Sequence, residues 1–102
     1  MRDVQFRIWL EHYTKLQKRP IGDTVSRCRR IEAIPGIDLD DEYMRDGGHA
    51  MIEMLSYSSE DKRRAKPAPP GLYFASGADL YAGLACLRRA VSLYFEFCMH
   101  GN

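Results

Sequence analysis

The stretch DLYAGLACLRRAVSLYFEFCM, Asp79 to Met99, decides the fold. Leu80, Leu84, Leu87, Val91, Tyr94 and Cys98 follow one another at steps of four and three residues, and a second apolar line, Cys86, Ala90, Leu93 and Phe97, runs beside the first. That periodicity is helical. Arg89, Ser92 and Glu96 occupy the narrow polar side, so the helix is apolar around most of its circumference and must be packed on several sides at once. This pattern predicts an all-α domain built around a long C-terminal core helix.

Working outward, Phe6, Trp9, Leu10, Tyr13 and Leu16 predict a first helix over about Asp3–Lys18, with Asp3 in its first turn and Lys15 and Lys18 in its last. The segment RPIG, with Pro20 and Gly22, reads as a turn. Asp23 then serves as N-cap of a second helix whose buried line is Val25, Cys28 and Ile31, ended by Pro35 and Gly36. Asp38 caps a short acidic helix, Gly47–Gly48 interrupts, and Met51, Ile52 and Leu55 mark a fourth. Ser58 and Asp61 have the spacing of a capping box. Only LYFA, Leu72 to Ala75, reads as a short strand. The expectation is one compact bundle of about five helices over residues 1–102.

The 102 residues fit one domain, and 45% apolar with 28% charged is a globular balance. No run approaches the ~20 apolar residues of a membrane span, and Met1–Lys18 lacks the continuous apolar core of a signal peptide. The three cysteines, Cys28, Cys86 and Cys98, each fall on an apolar face. Cys86 and Cys98 are separated by roughly 18 Å of helix rise, too far to bridge. Free buried thiols and a reducing, cytoplasmic compartment follow as expectations.

The net charge of +1 conceals segregation: residues 1–37 carry eight Lys/Arg against four Asp/Glu, residues 38–61 one against eight, and residues 62–102 six against two. Such blocks suit a face that steers toward an anionic partner. Helix periodicity turns Cys28 inward and Arg27 and Arg30 outward, with Arg29 near the boundary. Lys18 and Arg19 end the preceding helix, and Lys62, Arg63, Arg64 and Lys66 form a basic loop. Together these nine residues are the candidate contacts to a phosphate backbone, without base readout.

No catalytic constellation emerges. His12, His49 and His100 share no helix face, no paired Cys or His motif exists, and the Asp38, Asp40, Asp41, Glu42 run lacks the glycine and distal glutamate of a calcium loop. Neither a metal nor another cofactor is expected. DGGHA is followed by no Lys-Ser/Thr of a phosphate loop. Phe6, Trp9, Tyr13, Tyr94 and Phe95 read as core, the alternative being a platform for stacked bases.

Three segments, FRIWLEHY (6–13), DTVSRCRRIEAI (23–34) and LACLRRAVSLYFEF (84–97), together resemble the helical, SAM-like core-binding domain of tyrosine recombinases and phage integrases. They are still more similar to a related N-terminal module in proteins of bacterial mobile and defence elements. In that module a Thr or Ser opens a helix running into Arg-Arg-hydrophobic-Glu, matched here by Thr24, Arg29, Arg30 and Glu32. The Asp38–Tyr43 run, Tyr57 to Asp61 and Leu87 to Phe97 continue the match. The resemblance implies a helical fold and a basic surface that grips double-stranded DNA in a phage or mobile-element setting. It does not imply recombination, since the catalytic domain is absent. Two other readings stand beside it. One is an interaction module that inhibits a host nuclease or another nucleic-acid-handling complex, with Asp38, Asp40, Asp41 and Glu42 mimicking phosphate. The other is a structural homodimer.

Overall fold

The computed structural model describes residues 1–100, and among these every regular element is helical. They are α1 (Asp3–Tyr13), α2 (Lys18–Glu32), α3 (Leu39–Asp46), α4 (His49–Met54), the single turn α5 (Ser59–Arg63) and α6 (Leu80–His100). The expected all-α bundle with a long C-terminal helix is therefore the fold. α6 packs against each of the other five helices. Leu84, Leu87, Ala90, Val91, Tyr94, Phe95, Phe97 and Cys98 on its surface are buried, and they join Phe6, Leu10, Val25, Cys28, Ile31, Leu39 and Leu55 in one core cluster. A radius of gyration of 13.8 Å matches the ~13 Å of a single packed domain this size.

The first two helices divide differently from the expectation. α1 ends at Tyr13, where Thr14 turns extended and its hydroxyl bonds back to the Leu10 carbonyl. α2 begins at Lys18, so Pro20 and Gly22 lie inside the helix and Asp23 is not a cap. Pro20 is tolerated because it occupies the first turn, where backbone N–H groups have no helical partner. The first bond of the ladder runs from Ile21 N–H to the Gln17 carbonyl at 3.0 Å. With the helix ended early, Tyr13 is 75% exposed rather than core.

The capping and glycine-break signals were local and hold. The Asp38 carboxylate accepts from the N–H groups of Asp40 and Asp41. Ser58 and Asp61 form the reciprocal capping box. Gly47 and Gly48 both have positive φ, and Gly48 lies so close to the Phe95 ring that no Cβ fits. LYFA is not a strand. It belongs to an extended connection in which Leu72 is buried and Tyr73 faces out. Cys28 and Cys98 are buried as expected, whereas Cys86 is exposed. No helix of the described residues is long and apolar enough to cross a membrane.

Candidate nucleic-acid interface

α2 is the basic element. Arg19, Asp23, Ser26 and Arg30 follow at steps of four, three and four, and all are exposed on the side opposite the buried Val25, Cys28 and Ile31. Arg27 is half-buried at the edge of this stripe. Because α2 starts at Lys18, the link from Lys18 and Arg19 to the later arginines is one continuous helix, not a turn between two helices. Lys18 and Arg19 lie at the positive end of the α2 dipole, in a first turn with no acidic residue and no side-chain cap, which disfavours cations.

The arginines of SRCRRIE have separate roles. Cys28 faces the core and donates to the Ala90 carbonyl of α6 at 3.4 Å, and burial pushes its thiol up to about 12. Arg29 pairs with Asp3 of α1, and that hydrogen bond holds the Asp3 carboxyl below its usual range. Arg30 donates to the Tyr73 carbonyl at 2.6 Å, with its guanidinium carbon 4.6 Å above the Phe74 ring. Glu32 turns inward to accept from the Leu39 N–H at 2.8 Å. Among the described residues Lys18, Arg19 and Arg27 form no ion pair.

The basic loop is not a free arm. Lys62 and Arg63 belong to α5; Lys62 lies 3.6 Å from Asp79 and 5.8 Å over the Tyr81 ring. Arg64 pairs with Glu60 at 2.8 Å and Lys66 with Asp61 at 4.0 Å. Arg63 alone of the four has no carboxylate partner among the described residues. These surface pairs add little to stability but leave Lys62, Arg64 and Lys66 partly neutralised.

The acidic run is largely internal to the fold. Asp38 is a cap, Glu42 is buried and pairs with Arg45 at 3.1 Å, and Asp40 accepts from Arg2 at 3.1 Å and from Tyr94 at 2.7 Å. Burial opposes the charge on Asp40, but the bonds from Tyr94 and Arg2 outweigh it and hold the carboxyl below its usual range. Asp38 and Asp41 are both exposed, Asp38 with its carboxylate engaged as the cap and Asp41 facing solvent without such a role.

Of the aromatics weighed as a platform, Phe6, Trp9, Tyr94 and Phe95 are core. His12 and His100, unrelated in sequence spacing, line one surface cleft with Trp9 and Phe97. No group of three His, Cys, Asp or Glu side chains among the described residues is placed to hold a metal ion. Tyr73 and Phe74 escape sequence reasoning because LYFA reads as a strand; the available signal was two adjacent aromatics after a proline run. Compared with protein-family models, curated proteins and solved structures, the chain finds no match.

Proposed function

We propose that this domain is a non-catalytic module that binds the sugar–phosphate backbone of nucleic acid, double-stranded DNA included, through the outer face of α2. The observation that carries the reading is the single helical face on which Arg19, Arg27 and Arg30 lie together, with Asp23 the one acid on it and Lys18 preceding them at the helix N-terminus, turned about 100° away from Arg19. Lys18, Arg19 and Arg27 form no ion pair among the described residues, although Asp23 lies four residues from both Arg19 and Arg27, and Arg30 contacts a carbonyl and a ring. Phosphates would satisfy all four and relieve the mismatch between Lys18, Arg19 and the helix dipole. The contribution of Arg63, Arg64, Lys62 and Lys66 is secondary, since three of these four already have carboxylate partners.

Binding to a short labelled duplex across salt concentrations tests this. Four phosphate contacts give a log–log slope of about −3.6, so affinity should drop about a hundredfold between 50 and 200 mM salt. The Arg19→Glu, Arg27→Glu double variant should flatten that slope by about two. Absence of binding at low salt, with the protein folded, would remove the reading.

A further inference from the structure

We propose that Tyr73 and the guanidinium plane of Arg30 form a stacking platform for an unpaired base of single-stranded nucleic acid. This rests on the backbone-binding reading and names the strand chemistry it favours. Tyr73 is 85% exposed, the most exposed large hydrophobic residue among those described. Its backbone is nonetheless fixed on both sides. Leu72 before it is buried in the core, and Phe74 after it packs on Gly83 of α6, where an added Cβ would lie 2.8 Å from the ring. Arg30 clamps the Tyr73 carbonyl itself. An aromatic ring held in water on an anchored backbone contributes nothing to the core.

Arg30 completes the arrangement. The Phe74 ring covers one face of its guanidinium and the Tyr73 carbonyl restrains it in plane, while the side chain remains exposed. A planar cation fixed in this way is a stacking surface for a nucleobase. Arg27, one turn back along α2, would receive a phosphate flanking that base, and Arg19, about 16 Å of helix rise from Arg30, one farther along the strand. In a duplex, base faces are covered by their neighbours, so stacking on Tyr73 selects unpaired nucleotides, whichever the base.

Fluorescence anisotropy with short oligo-dT, oligo-U and a blunt duplex of equal length tests the assignment. Tyr73→Ala is expected to weaken single-strand binding about tenfold while leaving the duplex unchanged, and Tyr73→Phe to retain it. Arg30→Lys, which keeps the charge and loses the plane, should likewise weaken the single strand more than the duplex. Equal losses for oligo-dT and oligo-U identify base stacking common to DNA and RNA; a loss confined to one identifies that nucleic acid as the ligand. Because the Tyr73 ring is exposed, unchanged thermal unfolding confirms that Tyr73→Ala is folded. Unchanged single-strand affinity in that variant, with Arg19→Glu, Arg27→Glu still lowering all binding, would overturn the platform and leave the backbone reading. No binding of any oligonucleotide would overturn both.

Discussion

The Tyr94 hydroxyl of α6 donates to Asp40 Oδ1 of α3 at 2.7 Å and accepts from the Arg2 backbone N–H at 2.9 Å. One oxygen thus ties together the entry to α1, the start of α3 and the centre of the core helix. Its ring is wholly buried, edge-on to Phe6 with centroids 4.9 Å apart. Tyr94→Phe keeps that packing and removes the hydrogen bonds of the hydroxyl. It should lower unfolding stability by about 2 kcal/mol, the range for a lost bond to a charged acceptor. Urea denaturation with an unchanged m-value would show it; a loss under about 0.5 kcal/mol would mean that solvent substitutes for the hydroxyl.

Asp40 gives this cluster a pH dependence. Its carboxyl titrates below the ordinary 3.8, so the folded state holds fewer protons there than the unfolded chain. The associated stability is fully present above pH 3.8 and is lost as pH falls through the depressed folded value. Asp3 and Asp61 shift in the same direction, held down by Arg29 and by the Ser58 backbone N–H respectively. Acid titration of unfolding stability should show a fall below about pH 4 that becomes shallower in Asp40→Asn. An identical acid limb in the variant would assign the fall to other carboxylates.

The three thiols should behave unequally. Burial pushes Cys28 up to about 12 and Cys98 up to about 11, and thiolate is the reactive form. Cys86 is exposed. A thiol-specific chromogenic reagent at mild alkaline pH is expected to modify one cysteine rapidly and the other two only on denaturation. Cys86→Ser should abolish the rapid phase. A rapid phase surviving that substitution would show that the α2–α6 seam around Cys28, or the cluster around Cys98, opens readily.

Adjacent glycines separate backbone strain from steric exclusion. Gly47 (φ 72°) and Gly48 (φ 84°) both have left-handed backbone, but a Cβ at Gly47 meets nothing within 4 Å whereas one at Gly48 enters the Phe95 ring. Gly47→Ala should cost about 1–2 kcal/mol, the strain alone. Gly48→Ala should cost about 1–3 kcal/mol more, because Phe95 must move within a packed core. Thermal or denaturant unfolding of the two variants measures the difference, and equal losses would mean that Phe95 has room to turn.

The helical class, the core-facing side of α6, the Asp38 and Ser58 caps and the break at Gly47–Gly48 are legible in the residues alone. Each is a local matter of side-chain period or of a donor met within a few residues. Sequence also identified α2 as arginine-rich and turned Cys28 inward. What each of those arginines meets is set by tertiary packing. Arg29 meets an aspartate 26 positions earlier, and Arg30 meets a carbonyl 43 positions later. Packing likewise turned Asp40 from a surface acid into the acceptor for Tyr94, 54 positions away. The Pro20 boundary lay between these cases, since a proline in a first helical turn and a proline in a loop leave the same local signature. Charge pairing and exposure depend on which distant segments the core brings side by side, and no local period encodes that.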